Sequence, residues 1–271
     1  MARLGGEPVT SRSAVVARLR AAGCVFAEDE AELLVAAARD PAELDDLVAR
    51  RAGGDPLEHL LGWAEFAGLR VAVDPGVFVP RRRTEFLAHQ AIELAGPGAT
   101  VVDLCCGSGA VAVAVAAVVP DADLYAADID PAAVRCARRN LPTGHVYAGD
   151  LYAPLPATLR GRVDVLVANA PYVPTDEIDL MPPEARLHEP RVALDGGADG
   201  LDVLRRITAG APDWLAPGGH VLVETSRRQA PLAVEAVTAA GLTARLAGSA
   251  ALAATIVIGT REPGPGRPSA R

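Results

Sequence analysis

Lysine is absent from this sequence of 271 residues, so all 26 basic residues are arginines. We attribute this bias to GC-rich coding rather than to chemistry. The 34 acidic residues outnumber the basic ones and give a formal net charge of −8. Proteins that clamp a long nucleic acid usually carry a basic stripe, so this balance disfavours that function. It does not exclude the function, because a local arginine cluster can lie on an acidic body.

Cysteine is scarce, and its four positions form no Cys-x-x-Cys pair and no zinc-like spacing with histidine. The sequence therefore predicts no metal site, no disulfide framework and a reduced, cytoplasmic protein. A signal-peptide pattern is also missing. The longest apolar run, residues 110–119, is about half of the roughly 20 residues that a membrane-spanning helix needs. We expect a monomer that does not contact a membrane.

Catalytic arrangements built on a tuned acid or base are missing as well. The sequence contains no recognisable Ser-His-Asp set and no paired-carboxylate arrangement. Its five histidines lie at unrelated spacings, at His59, His89, His145, His188 and His220. If the chain is an enzyme, its chemistry must not need such a group.

The apolar pattern divides the chain into four parts. Helical spacing over residues 14–22, 28–39 and 41–51 predicts an N-terminal helical domain at 1–64, suited to docking a substrate. Alternating residues over 66–79, broken at Asp74-Pro75-Gly76, predict a β-hairpin linker at 65–80. Residues 81–260 form the main domain, and the tail 261–271, rich in Pro, Gly and Arg, is predicted to be disordered.

Strand and helix patterns alternate through the main domain. Strands are predicted at residues 100–104, 123–127, 145–147, 163–168, 220–224, 243–246 and 255–258. Helices are predicted at residues 110–119, 131–140, 200–211 and 228–240. Such alternation indicates a mostly parallel sheet with helices on both faces. The predicted fold class is therefore α/β, a doubly wound, mostly parallel, seven-stranded Rossmann-like sheet beside the small helical domain.

A glycine-containing turn follows the first strand of this sheet. Residues 101–109 read VVDLCCGSG, and Asp128 follows at the end of the next strand, where a carboxylate can accept both hydroxyls of a ribose. Gly107, Gly109 and Ala112 also fit the dinucleotide fingerprint, so a dehydrogenase is one interpretation. Asp103 favours S-adenosylmethionine, since a carboxylate attracts its cationic methionine part and repels a pyrophosphate.

A second loop, Asn169-Ala170-Pro171-Tyr172, ends the strand at 163–168. It reads as a variant of the Asn/Asp-Pro-Pro-aromatic loop of methyltransferases that act on exocyclic or amide nitrogens. An amide nitrogen is a poor nucleophile because its lone pair is delocalised. The Asn169 side-chain oxygen and the Ala170 carbonyl can accept its two hydrogens, which orients the nitrogen and relieves its developing charge. Pro171 fixes the turn, and Tyr172 can lie flat against the amide.

Taken together, these residues resemble the protein-(glutamine-N5) methyltransferases that modify peptide-chain release factors. The resemblance covers most of the chain. It is carried by the two loops and by the stretches PLEHLLG at 56–62, VPR at 79–81, TE at 84–85 and EPRVALDGG at 189–197. It implies methyl transfer from S-adenosylmethionine to the side-chain amide nitrogen of a glutamine in a protein.

The resemblance also implies the contacts of the cofactor. Asp150 would lie near the adenine with Leu151 against its ring, and Asn169 would serve both the cofactor pocket and the substrate amide. Pro80 and Arg81 would form part of the roof. The remaining residues of the predicted cofactor site are Asp103, Cys105, Cys106, Gly107, Ser108, Gly109 and, for the ribose, Asp128.

Four departures from the family pattern stand out. Cys105 occupies the place of the first loop glycine, and Ala170 that of the first proline. Arg82 and Arg83 replace Pro-Asp and turn an acidic corner into a basic one, while Leu151 takes a place that is often aromatic. These changes leave the reaction class intact but alter the surroundings of the substrate.

Two further interpretations remain open. An adenine-N6 methyltransferase on DNA or RNA uses a similar loop, and the run Arg81-Arg82-Arg83 is a candidate phosphate contact. Arginine runs more often pair with acids or face solvent, and the acidic balance disfavours nucleic acid. A non-catalytic S-adenosylmethionine-binding module is the other interpretation, supported only by the substituted Cys105 and Ala170. A dehydrogenase ranks last, because Asn-x-Pro-Tyr has no use in hydride transfer.

Overall fold

The computed structural model describes residues 11–263 of the chain. Its α-helices are α1 (Arg12–Ala21), α2 (Ala27–Ala37), α3 (Pro41–Ala52), α4 (Leu57–Leu61), α5 (Glu85–Leu94), α6 (Ala110–Val118), α7 (Pro131–Asn140), α8 (Pro183–His188), α9 (Asp202–Trp214) and α10 (Ala230–Ala239). Its strands are β1 (Trp63–Phe66), β2 (Leu69–Ala72), β3 (Thr100–Leu104), β4 (Asp123–Asp128), β5 (His145–Ala148), β6 (Val163–Ala168), β7 (Leu215–Glu224), β8 (Thr243–Ser249) and β9 (Ala254–Thr260). Within the described residues, no helix combines the length and the apolar character needed to cross a membrane.

The first four helices bury an apolar cluster of their own. Helix α1 begins after Ser11, whose side chain accepts a hydrogen bond from the Ala14 N–H, and α3 begins after Asp40 with Pro41 in its first turn. The buried side chains include Leu19, Leu34 and Leu47, and partly buried leucines of α4 pack against them. The division into domains predicted from the sequence agrees with this separate cluster but stays a prediction.

The β-hairpin lies earlier in the chain than the sequence pattern indicated. Strand β1 pairs antiparallel with β2, and the turn between them is Ala67-Gly68, with φ of 51° and 74°. Two left-handed residues in a row fit the right-handed twist of a hairpin. The predicted break at residues 74–76 is a separate turn after β2. The prediction was wrong there because Ala-Gly is a weaker turn signal than Asp-Pro-Gly.

The main sheet has seven strands in the order β5-β4-β3-β6-β7-β9-β8. Every neighbouring pair from β5 to β7 is parallel, and β9 pairs antiparallel with both β7 and β8. One apolar layer packs α5, α6 and α7 on one face, and a second packs α9 and α10 on the other. The predicted doubly wound, mostly parallel α/β sheet is confirmed.

Strand β7 shows the largest difference in length from the sequence prediction. It begins at Leu215 rather than at residue 220, with a shift of register opposite Val163 and Val165. The intervening Pro217-Gly218-Gly219 reads as a loop in the sequence, but the structure accommodates it as an irregularity within the strand. Most other predicted boundaries agree with the structure to within about two residues, as is usual for such assignments.

Candidate active site

The site lies at the point where the order of the sheet reverses. After β3 the chain builds outward to β4 and β5, and it then returns to place β6 and β7 on the other side of β3. Ligands of open α/β sheets bind at the carboxyl ends of the strands beside such a point. A cavity of about 560 Å³ opens there, lined by residues that follow β3, β4, β5 and β6.

The turn after β3 contains three residues with left-handed backbone. Cys105, Gly107 and Gly109 have φ of 55°, 56° and 80°. Cys105 therefore adopts the conformation that suits a glycine, and this departure from the family pattern leaves the turn in place at a strain of about 1 kcal/mol. Burial raises the pKa of the Cys105 and Cys106 thiols, which keeps both protonated as apolar spacers.

Asp128 connects β4 to this turn. One carboxylate oxygen accepts a hydrogen bond from the Gly107 N–H at 2.8 Å, and the other accepts one from the Asp130 N–H at 2.9 Å. Burial raises the pKa of Asp128 despite these hydrogen bonds. Its carboxylate is thus fixed at the rim of the cavity, where the sequence predicted a ribose contact.

Asp103 is the most deeply buried acid of the cavity. It is 2% exposed, and the only hydrogen bond to its carboxylate among residues 11–263 comes from the Ala112 N–H at 3.3 Å. Burial raises the pKa of Asp103 to about 7, and the nearby charge of Asp128 adds to the rise. An acid held half-ionised near neutral pH is stabilised by a cation beside it.

Ser108 offers an independent test of what the cavity holds. It is buried, and its hydroxyl has no hydrogen-bond partner within the described part of the chain, although it lines the cavity. Such a group is expected to bind a ligand or water. A hydroxyl and two carboxylates suit the amino-acid and ribose parts of S-adenosylmethionine, so the residues present fit this cofactor.

The opposite end of the cavity is formed after β5. Leu151 is buried with φ of 48°, and Asp150 receives a hydrogen bond from the Arg206 guanidinium at 2.5 Å. Both residues line the cavity, as does Ile129. An apolar slot with a carboxylate at its edge suits an adenine ring, in the place that the sequence predicted.

The loop after β6 lines the same cavity and carries two acceptors without a partner among the described residues. The Asn169 amide nitrogen donates to the Thr84 hydroxyl at 3.2 Å, which leaves the Asn169 side-chain oxygen facing elsewhere. Within residues 11–263, neither this oxygen nor the Ala170 carbonyl accepts a hydrogen bond. The pair of acceptors predicted from the sequence is therefore available to a substrate.

Tyr172 is held by a buried acid rather than by the loop itself. Its hydroxyl donates to Glu224 at 3.4 Å, and burial raises the pKa of Tyr172 to about 12. The Arg83 guanidinium lies 5.7 Å from the centre of the Tyr172 ring and donates to the same Glu224 oxygen at 3.1 Å.

The stretch at residues 189–197 supports both the roof and this loop. Glu189 accepts two hydrogen bonds from Arg81, at 2.7 and 2.6 Å, and one from the Val79 N–H at 3.1 Å. Downstream, the Gly196 N–H donates to the Val173 carbonyl at 2.9 Å. Pro80 and Arg81 line the cavity as predicted, but the charge of Arg81 is already paired.

The structure brings the predicted residues together with one exception. Gly109 does not line the cavity; a Cβ there would meet Leu141 and Ala137 at 3.1 and 3.3 Å, so this glycine allows α6 and α7 to pack closely. The lining residues that sequence reasoning missed include Phe66, Phe78, Thr84, Ile129, Val203 and Arg206. Ile129 directly follows Asp128 and could have been found from that position, whereas Val203 and Arg206 come from α9 through tertiary packing.

Comparisons with known proteins agree with this geometry. Residues 68–181 match the family model described as methyltransferase small domain. A release factor glutamine methyltransferase of Mycolicibacterium smegmatis is 41% identical over 250 residues, which cover 84% of this chain and 88% of that relative. The chain belongs to the release factor glutamine methyltransferase family.

A second relative in this family, from Geobacter sulfurreducens, is 42% identical over 188 residues, covering 68% of this chain but 65% of the relative. A solved methyltransferase from Pyrococcus furiosus shares the fold, with a TM-score of 0.55, 16% identity, and coverage of 72% of this chain and 90% of that one. The predicted family is confirmed.

Proposed function

We propose that this chain transfers the methyl group of S-adenosylmethionine to the side-chain amide nitrogen of a glutamine in a peptide-chain release factor. The observation that carries the proposal is the free pair of acceptors, the Asn169 side-chain oxygen and the Ala170 carbonyl, in the cavity that also contains Asp103 and Asp128. Relatives that match most of the chain bear the name of this activity.

The residues of the loop do most of the catalytic work. S-adenosylmethionine, when bound, supplies an electrophilic methyl group. Asn169 and Ala170 accept the two hydrogens of the substrate amide, which holds its nitrogen in place and stabilises the positive charge as the new nitrogen–carbon bond forms. The proton then leaves to water, so no residue with a shifted pKa has to accept it. Pro171 restricts the turn that aims the Ala170 carbonyl.

The adenine interpretation receives no support from the arginine run. Arg81 pairs with Glu189 and Arg83 pairs with Glu224, so two of these three arginines already have carboxylate partners. Arg82, the third, lies exposed in a short 3-10 helix. We further propose that the protein acts as a cytoplasmic monomer on a protein substrate.

Mass spectrometry tests the proposal directly. The purified chain is incubated with isotopically labelled methyl donor, unmethylated release factor and nucleic acid of the same host. The tryptic peptides and the nucleosides are then analysed. A labelled methyl group on one glutamine side chain is expected. Label found only in added nucleic acid would establish the adenine interpretation instead, and absence of label from both would favour a non-catalytic binding module.

Asn169→Ala is the matched control for that assay. Transfer should fall by at least about 100-fold, since one of two acceptors for the reacting amide is lost. Binding of S-adenosylmethionine, measured by calorimetry, should change by less than about threefold, because the cofactor residues after β3 and β4 are untouched. Normal turnover by this variant would show that Asn169 is not the acceptor.

A further inference from the structure

A buried carboxylate lies beside the catalytic loop without an assigned function. Glu224 is the last residue of β7, and β7 is the parallel neighbour of β6 with Val223 opposite Ala168. Glu224 and Asn169 therefore follow paired residues at the same edge of the sheet. Glu224 is 2% exposed, and an acid this deep is expected to have a structural or functional reason.

The two oxygens of Glu224 differ in their surroundings. One accepts hydrogen bonds from Arg83 at 3.1 Å and from Tyr172 at 3.4 Å. The other is buried and has no partner of ordinary hydrogen-bond geometry in residues 11–263. Burial raises the pKa of Glu224, while the Thr84 hydroxyl, Arg83 and Tyr172 lower it. Thr84 directly follows Arg83, which pairs with this carboxylate, so its hydroxyl is a neighbouring donor for the oxygen that has no partner.

Thr84 connects this carboxylate to Asn169. Its hydroxyl accepts the hydrogen bond from the Asn169 amide nitrogen at 3.2 Å. A hydroxyl has one hydrogen to donate. In the first arrangement it donates that hydrogen to the asparagine side-chain oxygen. In the second it donates to another acceptor and itself accepts a hydrogen bond from the asparagine side-chain nitrogen. Beside a carboxylate the second arrangement is favoured, since a hydrogen bond to an ionised oxygen is stronger than one to a neutral amide oxygen.

We propose that Glu224, acting through Thr84, sets which end of the Asn169 amide faces the substrate. The inference rests on the proposed function. With Thr84 committed as an acceptor, Asn169 must turn its nitrogen toward Thr84 and its oxygen toward the cavity. Without the carboxylate, Thr84 can donate to the Asn169 oxygen, and the amide then presents its NH₂ group to the NH₂ group of the substrate. Two donors cannot bond to each other, so the nitrogen to be methylated loses an acceptor.

Arg83 supports this arrangement from the solvent side. It is 44% exposed at its side chain and lies over both Glu224 and Tyr172, so its charge favours the ionised form of a carboxylate that burial would otherwise protonate. Glu224, Thr84 and Arg83 are thus positioning residues, whereas Asn169 is the catalytic residue through which they act.

The test compares three variants of the full chain with wild type. Thr84→Val keeps the shape of the side chain but removes the hydroxyl, and Thr84→Ser keeps the hydroxyl. Glu224→Gln keeps the shape of the acid but offers an NH₂ group, from which the Thr84 hydroxyl can accept a hydrogen bond instead of donating one. For Thr84→Val and Glu224→Gln we expect kcat with unmethylated release factor to fall by roughly 100-fold, the scale of one misplaced hydrogen-bonding group. The KM and Kd for S-adenosylmethionine should stay within about threefold, and Thr84→Ser should retain most of the activity.

A second readout does not depend on the substrate. In protein labelled with ¹⁵N at asparagine side chains, the hydrogen that Asn169 donates to Thr84 should exchange slowly with water. Thr84→Val and Glu224→Gln should remove this protection, and Thr84→Ser should keep it. If wild type showed the protection but no methylation, the proposed function would fail while the positioning inference stood.

Thr225→Val provides the control for removing a buried hydroxyl next to Glu224. Thr225 is 4% exposed, its hydroxyl has no partner within the described residues, and it does not line the cavity. Its variant should keep wild-type kcat and wild-type protection of Asn169. The inference is overturned if Thr84→Val keeps both, if Thr84→Ser loses as much activity as Thr84→Val, or if Glu224→Gln leaves the protection of Asn169 unchanged.

Discussion

Asp103 is a carboxyl group whose charge depends on what lies beside it. Burial raises its pKa to about 7, so in the absence of a cation the group is about half protonated at neutral pH. The pKa of Asp128 is raised as well, through the same cause. A cationic ligand favours the ionised form of both groups, and its binding therefore releases protons at a pH below the raised pKa values.

The affinity for S-adenosylmethionine should consequently rise with pH and level off above about pH 7. Below that value each pH unit should weaken binding by up to roughly tenfold, since one proton must leave Asp103 for the cation to bind. Calorimetry between about pH 6 and pH 8, in two buffers with different ionisation enthalpies, measures both the affinity and the released proton.

Asp103→Asn is the control for this pH dependence. It keeps the shape of the side chain but cannot ionise, so its affinity should be low and nearly independent of pH over the same range. Equal affinity of wild type at both ends of the range would show that Asp103 does not face the cationic part of the cofactor.

Asp128→Ala should weaken cofactor binding before it affects the chemical step. The substitution removes a ribose contact and also the acceptor of the Gly107 N–H, which fixes the turn after β3. We expect a loss of affinity of at least about tenfold, the equivalent of one charge-assisted hydrogen bond. At saturating S-adenosylmethionine, kcat should recover to near the wild-type value. A fall in kcat without a change in Kd would contradict this assignment.

Individual site residues were predictable where they lie at the carboxyl end of a strand. Asp103, Asp128 and Asn169 end neighbouring parallel strands, and the carboxyl ends of such strands converge on one place. Thr84 and Glu224 were not predictable, because their proximity depends on how the segment before α5 packs over the end of β7. No local pattern in the sequence records that contact.

At the scale of elements, the glycine stretch after α8 packs against the backbone of the catalytic loop. A Cβ on Gly196 would lie 2.7 Å from the carbonyl oxygens of both Pro171 and Gly200, and one on Gly200 would lie 2.3 Å from that of Tyr172. The Gln229 side chain joins the same place by donating to the Tyr172 carbonyl at 2.9 Å. The backbone of the loop that carries Asn169 is thus held in place by the glycine stretch and by the Gln229 side chain.

Gly196→Ala should reduce activity by displacing this loop. The backbone of Gly196 is not left-handed, so the effect arises from the contact with Pro171 rather than from strain at the substituted residue. A shift of about 1 Å near the chemistry can lower kcat by roughly 100-fold. Gly96→Ala is the matched control, because a Cβ there meets nothing within 4 Å. Similar kcat values for the two variants would show that the contact between Gly196 and Pro171 does not position the loop.

The strands and helices of the sheet were largely predictable because apolar periodicity reflects burial directly. Helix α7 and strands β3 and β6 agree with the predicted residues at both ends. The prediction failed where backbone geometry and tertiary contacts outweighed local composition. Ala67-Gly68 makes the hairpin turn without the usual residues, and Pro217-Gly218-Gly219 remains within β7 because β6 pairs on both sides of it.

At the scale of the whole molecule, Arg51 connects the N-terminal helices to the segment after the catalytic loop. It donates to Glu30 at 2.6 and 3.1 Å and to Glu184, in α8, at 3.1 Å. Arg51 and Glu30 are both about 10% exposed at their side chains. Arg51 therefore offsets the free-energy cost of burying the negative charge of Glu30.

Arg51→Met should destabilise the protein by about 3 kcal/mol, because it leaves Glu30 buried without its counter-ion. Urea unfolding followed by circular dichroism measures the change. Arg12→Met, which removes one partner of the exposed pair with Glu32, should change the stability by less than about 1 kcal/mol. Adding Glu30→Gln to Arg51→Met should restore part of the loss. Identical unfolding midpoints for Arg51→Met and wild type would show that Glu30 does not depend on this arginine.

The position of the hairpin has a consequence for how such a molecule can be recombined. Phe66 and Val71 belong to the same apolar cluster as Leu87 of α5 and Ala112 of α6, and the Asn140 side chain donates to both Ala72 and Ser108. The hairpin therefore packs with the helices of the main sheet, and the left-handed Gly62 lies between α4 and β1. We expect a fusion joined at Gly62 to exchange the N-terminal helices and leave the apolar cluster of the main domain intact. A fusion joined after the hairpin would remove Phe66 and Val71 from that cluster and expose its remaining side chains.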